Sequence, residues 1–158
     1  MEHVAIEDVD IELNPMKVHS VRKPVSRALG TTDFAMNYFE LEPGESFSGG
    51  LHRHNDQEEV FYVQEGVATF EVGVERERQE VAAGELIRFP PGEFQKGLND
   101  GDERVVGWAL GAPGATHDWD ELQSRVYCPE CEDETTHDTD LVDGRFELTC
   151  TDCGTTQG

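Results

Sequence analysis

Between Met16 and about Leu110 the apolar residues come in short runs, each closed by a Gly or Pro turn. A sheet can bury such a pattern and a helix cannot. Ala35 to Leu41 (AMNYFEL) stops at Pro43-Gly44, and Glu59 to Gln64 (EVFYVQ) meets Val67 to Val72 (VATFEV) across Glu65-Gly66. Leu86 to Phe89 runs into Pro90-Pro91-Gly92, and Arg104 to Leu110 (RVVGWAL) reads as a buried strand. Glu75 to Glu80 (ERERQE) reads as a solvated hairpin end, the residues up to about Asn14 as a loose segment or an edge strand, and no helix is expected before Leu110. Many short strands at this spacing predict an all-β sandwich or barrel.

One strand pair carries chemistry. His52 and His54 stand at i and i+2, so on a strand both imidazoles share a face. Glu59 then opens EVFYVQ on the same face as Phe61 and Val63, with Val60 and Tyr62 on the other. A carboxylate among apolar neighbours is costly unless something pairs with it. A divalent cation held jointly with the two histidines would supply that pairing and keep open positions for Lewis-acid or O2 chemistry. The bland alternative is a hydrogen-bonded polar cluster at a barrel mouth.

These residues resemble the cupin family. Its first motif runs roughly G-x5-H-x-H-x(3,4)-E-x6-G, and here His52, His54, Glu59 and Gly66 fall at those spacings. Glu58 is the rival acid, but only Glu59 leaves six residues before Gly66. The leading glycine, Gly44, lies eight residues before His52 rather than six, which a two-residue insertion among Phe47, Ser48, Gly49 and Gly50 would explain. The second motif, G-x5-P-x-G-x2-H-x3-N, is met by Gly84, Pro90, Gly92 and Asn99, with Gln95 in place of the histidine. The resemblance spans about residues 16 to 112. It implies a jelly-roll barrel, a transition metal inside it (Fe, Mn, Ni or Zn), often a homodimer, and dioxygenase- or isomerase-like chemistry on a small polar molecule. Gln95 leaves three readings open: a hydrogen-bonding neighbour of a three-ligand site, a fourth ligand through its amide oxygen, or a degenerate site. Phe47, Phe89, Phe94 and Trp108 are expected in the barrel core, while Arg53, Arg88 and Lys96 are expected as surface charges.

All four cysteines lie in two Cys-x-x-Cys pairs, Cys128/Cys131 and Cys150/Cys153, separated by 18 residues. That spacing suits four thiolates closing a tetrahedron around Zn2+, with Arg145 to Thr149 (RFELT) as a strand after the Asp143-Gly144 turn: a structural zinc ribbon. A shell of four sulfurs leaves no open position. Gly111 to Ser124, with its Pro, its glycines and then one expected helical turn, marks a boundary, giving a barrel over 1–115 and a linker plus ribbon over 116–158. His3, His19, His117 and His137 receive no role.

Charge narrows the partners. Residues 116–158 hold 12 acids and two arginines, and the whole chain nets -22 with three lysines, Lys17, Lys23 and Lys96. Such a surface repels phosphate backbones and anionic membranes, so nucleic acid is a poor partner. Abundant carboxylates and scarce lysine resemble the proteins of extreme halophiles, whose salt screens the repulsion. Met1 to Asp10 has no apolar core of a signal peptide, and no apolar run reaches the roughly 20 residues that span a bilayer, so a cytoplasmic setting is expected. Three function classes follow in order: a metal-dependent enzyme, a small-ligand-binding or regulatory module whose ribbon meets a protein, and last a transcription-associated factor.

Overall fold

The computed structural model describes residues 1–116 and 121–158; His117 and part of the expected boundary lie outside the described residues. The elements in chain order are β1 (Val21–Pro24), α1 (Val25–Leu29), β2 (Ala35–Leu41), β3 (His52–His54), β4 (Glu58–Glu65), β5 (Val67–Val72), β6 (Glu77–Ala82), β7 (Leu86–Phe89), β8 (Gln95–Leu98), β9 (Val105–Ala112), β10 (Leu122–Cys128), β11 (Asp133–Val142), β12 (Arg145–Cys150) and β13 (Thr156–Gln157). One sheet has the order β1-β2-β9-β4-β7, and the other β13-β12-β11-β10-β3-β8-β5-β6. The fold is an all-β jelly-roll barrel of the cupin type followed by a four-cysteine ribbon.

Alternation decides which side chains enter the barrel. Phe39 and Leu41 of β2, Phe61 and Val63 of β4, Ala68 and Phe70 of β5, Phe89 of β7 and Val105 and Ala109 of β9 form one buried cluster with Phe47. Phe47 stands at its centre, with ring centroids 5.1 Å from Phe39, 5.2 Å from Phe61 and 5.9 Å from Phe70. Room for that ring comes from Gly97, where a Cβ would lie 2.7 Å from Phe47 and 2.5 Å from Phe70. Burying so many aromatic rings supplies the main driving force of the barrel, since each removes a large apolar surface from water.

Three expectations need correction. A short helix, α1, stands at Val25–Leu29, where Pro24 starts it and Gly30, in the left-handed region, ends it. Its single turn is too short to leave a 3.6-residue periodicity in the sequence. The N-terminal segment is tied down: Lys23 Nζ donates to Ile6 O across 2.8 Å, Glu12 N donates to Arg22 O, and Val9 is buried. Trp108 is not in the core. It lies half-buried on the outer face of its sheet, edge-on to Tyr38 and donating to Gln64 Oε1. The helical turn expected in Gly111 to Ser124 falls largely on residues outside the described ones, between the end of β9 at Ala112 and the start of β10 at Leu122, and Glu121, the first described residue after them, is in 3-10 helix.

The ribbon strands continue the barrel's own sheet. β10 pairs with β3 in the register Leu122↔His54, Gln123↔Arg53 and Ser124↔His52, and β11, β12 and β13 follow outward in antiparallel order.

Candidate metal centres

Two clusters of possible metal ligands occur among the described residues: His52, His54 and Glu59 in the barrel, and the four cysteines in the tail. In each, the ligand atoms lie within 4.8 Å of one another. The sequence-predicted residues are thus brought together in both places.

In the barrel, β3 carries both imidazoles to the inner face and β4 brings Glu59 opposite them. The His54 Nε2 to Glu59 Oε2 separation is 3.7 Å. His52 Nδ1 donates to Gly50 O across 3.0 Å, which fixes the tautomer and leaves the Nε2 lone pair directed at the site. Burial pushes the Glu59 carboxyl up to about 7 and pushes the His52 imidazole down. Both shifts have one cause, loss of water around a charged form. The rival acid, Glu58, points the other way and pairs with Arg88 Nε across 2.6 Å. That pairing also accounts for Arg88 as a surface charge.

Gln95, in β8 directly opposite His52, completes the cluster. Its Nε2 donates to Glu59 Oε2 across 2.8 Å and lies 3.2 Å from His52 Nε2. Its Oε1 is buried without a hydrogen-bond partner. An orphaned carbonyl oxygen beside two imidazoles and a carboxylate is a donor set that fits a divalent cation, because rotating the amide turns Oε1 toward the same centre.

The second motif works as scaffolding around this cluster. Gly92 N donates to His54 O, Gly84 N donates to Val63 O, and the fully buried Asn99 donates to Leu41 O and Glu103 O while accepting from Gly101 N. Arg53 is more than a surface charge. Its guanidinium lies 4.7 Å from the Phe94 ring centroid and donates through Nε and Nη2 to Gln123 Oε1, in the tail. Nothing in the spacing of the sequence pointed to Gln123 as its partner.

In the tail, Cys128 Sγ lies 3.6 Å from Cys153 Sγ and Cys131 Sγ 3.9 Å from Cys150 Sγ. A Zn–S bond of about 2.3 Å in a tetrahedron implies sulfur edges of about 3.8 Å, so the arrangement has the size of a zinc site. The Thr135 hydroxyl, 3.2 Å from Cys150 Sγ, pulls the Cys150 thiol down to about 6, toward the thiolate that a metal needs. His137 lies outside the four-sulfur cluster. It is fully buried, donates from Nδ1 to Thr135 O across 3.1 Å, and accepts from Gln157 at Nε2. Alternation of Thr135, His137 and Thr139 along β11 was the available signal for this buried polar row.

Comparison with known proteins agrees with the geometry. Residues 37–109 match the model of the cupin domain. A sugar phosphate isomerase of the cupin superfamily from Silicibacter pomeroyi superposes with a TM-score of 0.64 at 18% identity, over 96% of this chain and 94% of that one. A polyketide cyclase from Streptomyces resistomycificus gives 0.58 at 24% identity, over 72% and 79%. A Klebsiella pneumoniae protein with a double-stranded β-helix domain gives 0.56 at 21%, over 71% and 84%. At these identities the likeness establishes the fold. No curated protein matches the sequence. Among the described residues, no helix is long and apolar enough to cross a membrane.

Proposed function

We propose that the protein is a metal-dependent enzyme acting on a small polar molecule, of the dioxygenase or isomerase type, a reading supported by the match of residues 37–109 to the cupin domain model. The observation that carries the reading is the convergence of His52, His54 and Glu59 on one point of the barrel interior. His52 and His54 would hold the cation through neutral imidazoles and Glu59 through its carboxylate, with the Gln95 amide oxygen as the fourth donor. A bound Fe, Mn, Ni or Zn ion would supply Lewis acidity or, for iron, O2 chemistry. The protein's own part is to fix the ligands: Gly50 O orients His52, and the Gln95 amide holds the Glu59 carboxylate. Phe47, Phe61, Phe70 and Phe89 belong to the buried apolar cluster of the barrel. Elemental analysis of the purified protein tests the reading. Stoichiometric transition metal beyond one zinc per chain supports it, and an empty barrel in fully stable protein prepared without chelator overturns it.

One observation favours the second reading, a non-catalytic module that holds a small ligand or regulates a partner. The Gln95 amide already satisfies Glu59 and faces His52, so the cluster is not obliged to bind a metal. The four cysteines are assigned a structural zinc, and the acidic ribbon a protein contact rather than a nucleic-acid one. The chain is assigned a cytoplasmic, salt-rich setting by its acid excess and a homodimer by the half-buried Val60 and Tyr62 on the outer face of β4.

A further inference from the structure

We propose that the cysteine ribbon is a positioning element of the barrel site: its folding holds the strand that carries His52 and His54. The proposal rests on the reading that cations occupy both clusters. β3 is three residues long, and toward the barrel it pairs with β8 only through His52↔Gln95. On its other flank it pairs along its whole length with β10, and the ladder is extended by Asn55 N donating to Glu121 O and Arg125 N donating to Leu51 O, each across 2.8 Å. Side chains repeat the attachment on the opposite face of the sheet. Arg53 donates to Gln123 Oε1, and Gln123 Nε2 donates to Asp138 Oδ1 across 2.7 Å, so β3, β10 and β11 are laced together.

β10 ends at Cys128, the first of the four sulfurs, and a direct line of register partners runs Gln95, His52, Ser124, His137, Cys150. The buried side chains of this tail are mostly polar or sulfur-bearing: Thr135, His137, Thr139, Cys128 and Cys150, with Leu122 at the barrel end. Apolar burial therefore offsets little of the entropy of ordering its strands, and a cation on the sulfurs must supply the rest. Without that cation β10 to β13 come loose, β3 becomes an edge held by its one register position with β8 and by Gly92 N donating to His54 O, and the two imidazoles lose their fixed aim at Glu59. The two centres are then thermodynamically linked, each raising the other's occupancy.

The test uses the full-length, zinc-loaded protein and Mn2+ as probe, a hard ion with little taste for thiolates. Mn2+ binding is followed by the resonance of the free ion at high salt, counting only the binding that His52→Ala abolishes. Hydrogen exchange is followed at Leu51 to His54. Cys131→Ser, which lacks ribbon zinc, is expected to bind Mn2+ about tenfold more weakly, within the usual range of coupling between sites. It should also exchange faster at Leu51 to His54 while β4 and β5 stay protected. Cys131→His, which returns a fourth ligand, should restore both. Should Cys131→Ser fail to fold, reversible removal of zinc from the wild-type chain with a chelator, before Mn2+ is added, gives the same two readouts. Zinc-free ribbon with wild-type Mn2+ affinity and wild-type protection overturns the proposal. If the wild-type barrel takes up no divalent ion, the metal reading of the barrel fails separately, and exchange at Leu51 to His54 alone decides whether the ribbon holds β3.

Discussion

Gln95 donates its side-chain amide to Glu59 across 2.8 Å while its own carbonyl oxygen is buried without a partner. One residue thus holds the Glu59 carboxylate in place and keeps an unused acceptor beside it. Replacing Gln95 with His puts a third imidazole at the position opposite His52 and should tighten Ni2+ or Zn2+ binding in the barrel by about tenfold or more, since imidazole is the better donor to these ions. Competition titration against a chromophoric chelator measures this. Unchanged affinity in a folded Gln95→His protein would show that the cation does not approach this residue.

His52→Ala and Glu59→Ala should each lose the barrel metal and keep the fold, because neither belongs to the aromatic cluster that stabilises the barrel. Metal per chain together with the far-ultraviolet dichroism spectrum checks both halves of the statement. Full metal content in either variant means that the ligands are elsewhere.

The Glu59 carboxyl, raised to about 7 by burial, gives a pH dependence with a definite sign. Protons compete with the cation for this carboxylate, so the apparent metal affinity should fall as pH drops below about 7. In the metal-free protein the direction reverses for stability. A folded-state value above the unfolded one contributes stability that is present at low pH and is lost as pH rises from the ordinary carboxylate range through about 7. Metal-loaded protein should not show that loss. Unfolding midpoints of both forms between pH 5 and 8 provide the comparison, and parallel curves would argue against a buried Glu59 with a raised pKa in the metal-free state.

Gly66 should resist substitution. It has φ +78° and an added Cβ would sit 2.5 Å from Arg104 O. Gly66→Ala is expected to destabilise the barrel by about 2 kcal/mol or more, through strained backbone and a clash with main chain that cannot move aside. Denaturant unfolding reads this directly; a change below about 0.5 kcal/mol would mean that the hairpin relaxes freely.

A strong chelator should expose the chain after Cys128 to protease before the barrel opens, because the ribbon buries few apolar side chains and would need a cation on its sulfurs, whereas the barrel has an aromatic core. Undiminished resistance of the tail under chelation would count against four thiolates holding zinc.

Most of the barrel was legible because its information is local. Ala35 to Leu41 and Val67 to Val72 appear as β2 and β5 with those ends, since alternation and a Gly or Pro turn both lie within a few residues. The cluster of His52, His54 and Glu59 was legible for the same reason, with period two placing each on the inner face. Gln95 was visible as a departure from the cupin pattern, but its hydrogen bond to Glu59 depends on how β8 meets β4 across the barrel. What could not be read was long-range pairing. Nothing near Leu122 announces that its strand will lie against His54, 68 positions earlier in the chain. Trp108 was misplaced because RVVGWAL is apolar on both faces, so alternation does not say which side chain turns outward.

The larger sheet has eight strands, and its two flanks are poor templates for a neighbouring molecule. β13, at one flank, is two residues long, and β6, at the other, presents exposed Glu77, Arg78, Gln79 and Glu80. Short borders and charged borders both discourage a stranger's backbone from adding itself as a further strand. By lengthening the sheet outward from β3, the cysteine-bearing segment replaces a border beside the histidines with one that ends in a stub. The same extension that shields the imidazole-bearing strand thus leaves the sheet with borders ill suited to fibrous self-association.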